Sequence, residues 1–301
     1  MLKRTITGLF IVLVLAGFTW LREVSVLFFD ALTLVLMYGA IVELAFALKL
    51  FNRKFFVTLL FAYPIALACI YIFSGSVLQA IALQILCMLV IFVLCMFKEI
   101  IVLGIKRKNN DTEEDERERN SGLLNETVGT LGLCVYPISL IGALFGINHF
   151  GLNLGYIGII LVFGISMCTD TFAYLFGSMI KGTKLAPEIS PKKSVSGFVF
   201  GALGGIGVSL LCMYLFYFKG LLPSAILNLS TLQAVIMFVS LGVIGTFATQ
   251  FGDLVASTIK RKTGIKDFGS IFPGHGGFMD RIDGAMFTSL LVFIVFALFL
   301  V

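Results

Sequence analysis

The chain has 301 residues, of which 59% are hydrophobic and only 13% charged, and its mean hydropathy is +1.04. Soluble domains carry about 45–50% apolar and about 25% charged residues, so an ordinary soluble domain, a disordered chain and a fibrous one are all excluded. The net charge of +5 is modest for a nucleic-acid binder; no nucleic-acid partner is expected, and a basic excess on so apolar a chain fits loops facing anionic lipid.

A membrane-crossing helix takes about 20 residues. Hydropathy places apolar spans roughly over 5–21, 26–48, 55–73, 77–97, 128–147, 155–178, 197–218, 232–252 and 284–301. The expected fold class is therefore all-α, a polytopic integral membrane protein of about nine transmembrane helices. The first span follows Lys3 and Arg4 as a signal peptide would, but it lacks a small-residue cleavage site and many spans follow, so a retained helix is expected. Asp30 and Glu43 lie inside the second span. Glu43 is expected to snorkel or to pair with Lys49, and Asp30 has no partner legible in the sequence.

Residues 98–126 carry KRK at 106–108 and DTEEDERER at 111–119 with no periodic apolar face. They read as a solvated or partly helical linker, with regulation or partner binding as the sharper alternative. This divides the chain into an N-terminal membrane region of four helices (1–97), the linker (98–126) and a C-terminal membrane domain of five helices (127–301). Cys69, Cys87, Cys95, Cys134, Cys168 and Cys212 are scattered singly and form no C-x-x-C pair, so they read as small apolar side chains. If the N-terminus is cytoplasmic and the spans alternate, every one of the 22 Lys and Arg residues except Arg22 and Lys219 falls on the cytoplasmic side. The positive-inside rule favours that topology.

Most polar residues of the C-terminal half sit in two cytoplasmic loops. The denser one, 253–284, reads DLVASTIKRKTGIKDFGSIFPGHGGFMDRIDG. If the eighth helix continues past the membrane surface, Asp253, Ser257 and Lys260 share a face. Asp280 and Asp283 share a face at the start of the ninth. Hard carboxylate oxygens on two helices suit Mg²⁺, which takes carboxylates plus substrate phosphates, and one ion or two would fit. Basic residues would neutralise the remaining phosphate charge. The PGHGG turn at 273–277, with His275, Gly276 and Gly277, could present amide N–H groups to phosphate oxygens. Asp170 and Tyr174, in TDTFAYLFG at 169–177, lie one helical turn apart within the sixth span, where an ionisable group is a functional hypothesis by default. The loop KLAPEISPKKSVSG at 184–197 reads as a proline-fixed turn, after which Ser190, Lys192, Lys193 and Ser194 open the seventh helix at its anion-binding end. Gly201, Gly204, Gly205 and Gly207 behind it read as close helix packing. If both loops serve one transfer reaction, this helix start and segment 253–283 should line one cavity. Carboxylates, Lys/Arg and a Gly-rich turn together point to phosphoryl or nucleotidyl transfer.

Segment 257–283 also resembles the signature of the phosphatidate cytidylyltransferase, or CDP-diacylglycerol synthase, family. Ser257, Lys260, Arg261, Lys266, Asp267, Gly269, Pro273, His275, Gly276, Gly277, Asp280, Arg281 and Asp283 fill its positions at the family spacing. Gly252-Asp253, DTFAY and ISPKKS occur in the family order, while Met167 and Ser196 depart from the usual residues. The resemblance implies CTP and phosphatidate as substrates, CDP-diacylglycerol and pyrophosphate as products, a requirement for Mg²⁺, and a place in the cell membrane with the active site facing the cytoplasm. Asp253, Asp280 and Asp283 would ligate metal, with Lys266 and His275 in the catalytic set. Lys260, Arg261, Lys266 and Arg281 would hold the triphosphate; Ser190, Lys192, Lys193 and Ser194 would hold one of the two phosphates; Asp170, Tyr174, Ser257, Asp267, Gly276 and Gly277 complete the binding set. A related CTP-dependent lipid kinase, a cytidylyltransferase for another lipid phosphate, and a transporter are the alternatives, and a homodimer in the membrane is left open.

Overall fold

The computed structural model describes residues 2–50, 54–106, 127–180, 182–220, 230–274 and 276–300. In chain order the helices are α1 (Leu2–Leu21), α2 (Val26–Ala47), α3 (Lys54–Phe73) and α4 (Val77–Lys106). They continue with α5 (Thr127–His149), α6 (Leu152–Met179), α7 (Val195–Phe218), α8 (Thr231–Thr263) and α9 (Met279–Leu300). Among the described residues, seven helices are long and apolar enough to cross a membrane, and two shorter apolar stretches lie in α1 and α3.

Local chemistry sets the boundaries. Ser25 caps α2, its side chain accepting from the Leu27 N–H, and Ser230 and Gln233 form a capping box at the start of α8. Gly264, at φ 74°, ends α8 in the left-handed conformation that glycine adopts without strain. Helix α5 breaks at Pro137, where Tyr136 leaves helical geometry and the turn widens to a π-helix over Cys134–Ser139.

Buried apolar residues from Phe29 through Phe145 to Phe296 form one continuous cluster. The N-terminal helices therefore pack on the C-terminal ones: α2 against α5 and α9, and α3 against α5. Helix α6 lies along α7, and α8 lies between α7 and α9. Glycine makes these approaches close. A Cβ at Gly201 would sit 2.9 Å from the Thr169 carbonyl oxygen, and one at Gly252 would sit 2.8 Å from the Phe287 ring.

Several expectations are sharpened or corrected. Helix α4 runs on to Lys106, so the first part of the 98–126 linker is helical, within the partly helical reading; 107–126 lie outside the described residues. The fold class is helical as expected, with one addition: 184–194 form a small antiparallel hairpin, β1 (Lys184–Ala186) with β2 (Ser190–Ser194). Lys184 pairs with Ser194 and Ala186 with Ser190, so Ser190, Lys192 and Lys193 stand on a strand instead of opening α7. Among the described residues a Cβ at Gly207 would meet nothing within 4 Å, so close packing does not require glycine there.

Candidate active site

The C-terminal ends of α6 and α8, the start of α9 and strand β2 meet around one cavity of about 420 Å³, a size suited to a small-molecule site. Helix α8 does continue past residue 252, to Thr263, so Asp253, Ser257 and Lys260 project from one face toward it. Of the residues expected to act, Asp170, Tyr174, Lys192, Lys193, Ser194, Asp253, Ser257, Lys260, Asp267, Asp280, Arg281 and Asp283 line this cavity. Hairpin and 253–283 segment thus share it, as one transfer reaction requires.

Ion pairs tie the walls together. Lys193 Nζ lies 2.9 Å from Asp253 Oδ2, and Lys260 Nζ lies 2.8 Å from Asp280 Oδ1. Lys192 and Arg281 have no ion pair among the described residues and are the unmatched positive charges on the wall. The Asp283 carboxyl lies within hydrogen-bond reach of that of Asp253. Asp170 lies within electrostatic reach of Asp253, Lys193 and Arg281. Tyr136, at the α5 kink, has a buried hydroxyl with no hydrogen-bond partner, and Asp283, Asp253 and Asp280 are its charged neighbours.

Asp280 differs from the other two carboxylates. Its Oδ1 accepts from Lys260, and its Oδ2 accepts from the N–H groups of Phe268 (2.9 Å) and Gly277 (3.0 Å). Both oxygens are therefore engaged, whereas Asp253 and Asp283 face each other. Among the described residues no three acidic, His or Cys side chains close into a ready metal cage.

Several expected residues lie elsewhere. Arg261 Nε donates to the Ile189 carbonyl at 3.1 Å, pinning the hairpin turn to the end of α8, and it does not line the cavity. Ser190, Lys266, Gly276 and Gly277 are also not on the wall. The Gly277 N–H points to Asp280, and those of Phe278 and Met279 donate to Glu43, so these amides are not offered to phosphate. His275 lies outside the described residues. Glu43 turns to these amides and not to Lys49.

Sequence reading missed Ala173, Leu185, Gly197, Phe198 and Gln250, which complete the wall. Phe198 and Gln250 also border an apolar groove of about 550 Å³ with Phe247, Phe251, Leu254 and Leu291. The polar cavity and this groove thus share two wall residues. Proximity to Asp253 along α8 was a signal for Gln250; nothing in the sequence marked Phe198.

A family model described as "Cytidylyltransferase family" matches residues 2–299. A protein named phosphatidate cytidylyltransferase in Staphylococcus aureus (strain COL) is 37% identical over 155 residues, which are 52% of this chain and 55% of that protein. One of the same name in Rickettsia conorii is 39% identical over 137 residues, 46% of this chain and 56% of that protein. Phosphatidate cytidylyltransferase 5, chloroplastic, of Arabidopsis thaliana is 36% identical over 141 residues, 47% of this chain and 32% of that protein. The chain spans from about a third to just over half the length of these curated relatives.

Proposed function

The chain belongs to the cytidylyltransferase family, and from that premise we propose that it transfers CMP from CTP to phosphatidate, giving CDP-diacylglycerol and pyrophosphate. The observation that carries this reading is a charged cavity and an apolar groove side by side, with Phe198 and Gln250 on the walls of both. A nucleotide needs the first and the acyl chains of a lipid the second. In the reaction an oxygen of the phosphatidate phosphate bonds to the α-phosphorus of CTP, the bond to the bridging oxygen breaks, and pyrophosphate carries away the electron pair. A phosphate monoester is already largely ionised at neutral pH, so the nucleophile asks for no general base. Catalysis then rests on positioning and charge. Lys192 and Arg281, free of ion pairs, would hold phosphate oxygens, while Lys193 and Lys260 orient Asp253 and Asp280.

The donor set fits Mg²⁺. Two facing carboxylates, Asp253 and Asp283, offer hard oxygens, and the buried Tyr136 hydroxyl lacks a partner beside them. Mg²⁺ takes one or two carboxylates and completes its shell with water and substrate phosphates, so a full protein cage is not required. When bound, the ion would neutralise the charge developing on the transferred and leaving phosphates. Asp280 would act beside them by holding Lys260 and the 268–277 turn.

The same reading places the protein in the cell membrane with nine crossings, the N-terminus and the cavity facing the cytoplasm. Its support is the distribution of basic residues together with the fate of the two exceptions. Arg22 is fully buried, bonded to Asn148 and Gly151, and Lys219 lies over the Tyr214 ring. The test is purified protein with cytidine-labelled CTP, Mg²⁺ and phosphatidate. Label should enter the lipid fraction as pyrophosphate is released; no labelled lipid under these conditions would refute the proposal.

A further inference from the structure

The first turn of α9 lacks a cap of its own. A helix start leaves its first N–H groups without partners, and the usual remedy is an oxygen-bearing N-cap side chain. The residue at that place is Phe278, which has none. The missing acceptor comes from α2 instead. Glu43 Oε1 accepts from the Phe278 N–H and Oε2 from the Met279 N–H, each at 2.9 Å, across 235 residues of chain in the first case. The side chain is 6% exposed. It lies in a cradle of glycines: a Cβ at Gly269 would stand 2.8 Å from Glu43 Cδ, and one at Gly277 would collide with both carboxylate oxygens. One turn earlier on α2, Gly39 leaves room for the Phe278 side chain, whose ring would be 2.5 Å from a Cβ there. Thr7 of α1 adds a hydrogen bond to the Pro273 carbonyl at 3.2 Å. The loop is thus held from the N-terminal helices at several points.

We propose that Glu43 is a positioning residue for the reaction: it fixes the first turn of α9 and the 268–279 loop so that Asp280 meets Lys260 and Asp283 meets Asp253. The proposal rests on the cytidylyltransferase reading for its activity arm only. A carboxylate isolated among apolar helices is costly unless it is paired or hydrogen-bonded, and here its two acceptors serve two orphan donors. Asp280 sits two residues after the first of these donors and Asp283 one turn further, so a rotation of the α9 start displaces both. Misplacement by about 1 Å costs on the order of a hundredfold in such reactions. The same contact closes the α9 N-terminus to substrate phosphate, which leaves Lys192 and Arg281 as the anion contacts.

The test is Glu43→Gln in the full chain, which keeps the shape but turns one acceptor into a donor facing an N–H. Purified and folded, this variant should show kcat lowered by about a hundredfold and a several-fold higher Mg²⁺ concentration for half-maximal activity. Amide hydrogen exchange should quicken over 268–281 and stay unchanged over 26–42. A purely stabilising contact would lower yield alone, so wild-type kcat and Mg²⁺ dependence per folded molecule would overturn the proposal, as would unchanged exchange over 268–281. If the Gln variant does not accumulate, Gly277→Ala displaces the same carboxylate and is judged by the same outcomes. If the wild type itself makes no labelled lipid, the functional reading fails, and the exchange result still decides whether Glu43 holds the loop.

Discussion

At one end of the bundle Arg22, Asp30, Asn148 and His149 close on one another; at the other, Asp170, Asp253, Asp283, Lys192 and Arg281 face an open cavity. Arg22 Nε donates to Asn148 Oδ1 at 2.6 Å, Asn148 Nδ2 donates to Asp30 Oδ1 at 2.8 Å, and His149 Nε2 lies 2.9 Å from Asp30 Oδ2. Burial pulls the Arg22 guanidinium below its ordinary pKa, and the charge of Asp30 partly offsets this. In that cluster the charges find partners within the protein, which makes it a clasp between the α1–α2 and α5–α6 turns. The open end pairs two of its four cavity cations and leaves carboxylates facing carboxylates. Unpaired charge at a partly enclosed site is costly, and on the proposed reading substrate and metal charge would complete the balance there. Helix α2 carries one acid to each end: Asp30 is absorbed by the clasp, and Glu43 serves the site.

The comparison breaks first, if it is wrong, at Asp253 and Asp283. Asp253→Asn and Asp283→Asn should each lower kcat by a hundredfold to about a thousandfold, as loss of transition-state charge stabilisation does, while the folded protein is retained. Near-normal turnover with ordinary Mg²⁺ dependence in both would place the metal elsewhere. Next come the unmatched cations. Hydrogen bonds to charged groups contribute about 1.5–3 kcal/mol, so Lys192→Ala and Arg281→Ala should each raise KM for CTP or for phosphatidate by about tenfold to a hundredfold. Unchanged kinetics for both substrates would reduce Lys192 to a topological anchor. The smallest effect on chemistry is expected at the clasp. Arg22→Met leaves buried acceptors on Asn148 and Gly151 unpaired, a loss of about 3 kcal/mol or more, so Tm should fall while kcat per folded molecule stays at the wild-type value. A fall in kcat there would mean that α2 couples the two ends.

How much of this was legible in the sequence follows from distance along the chain. Segment 253–283 was readable because its spacing is local: helical periodicity alone puts Asp253, Ser257 and Lys260 on one face, and α8 extends to Thr263 as that reading required. The shared cavity with 192–194 was reached from the need of one transfer reaction to bring both loops together. The hairpin was not legible, because SPKKS carries no strand-favouring residues and its pairing with 184–186 is set by what pins it, Arg261 on Ile189 and Lys193 on Asp253. Arg261 shows the same limit: its spacing matches a phosphate-binding run, while its Nε donates to the Ile189 carbonyl of the hairpin turn. Glu43 was missed as an active-site neighbour, since its partners lie more than two hundred residues away. The warning sign was there, an acid inside an apolar span with no local cation that claims it. Gly277 was read as part of a phosphate-presenting turn, and together with Gly269 it makes room for that acid.

The central claim is that this chain moves the α-phosphorus of CTP onto a lipid phosphate at the open end of the bundle. Parallel reactions of purified protein with phosphatidate, Mg²⁺ and CTP labelled at either the α- or the γ-phosphate test it directly. The account predicts that α-label enters the lipid fraction, that γ-label leaves as pyrophosphate, and that Asp283→Asn abolishes both. Entry of γ-label into lipid would make the protein a lipid kinase, and absence of either label from lipid in the wild type would contradict the account outright.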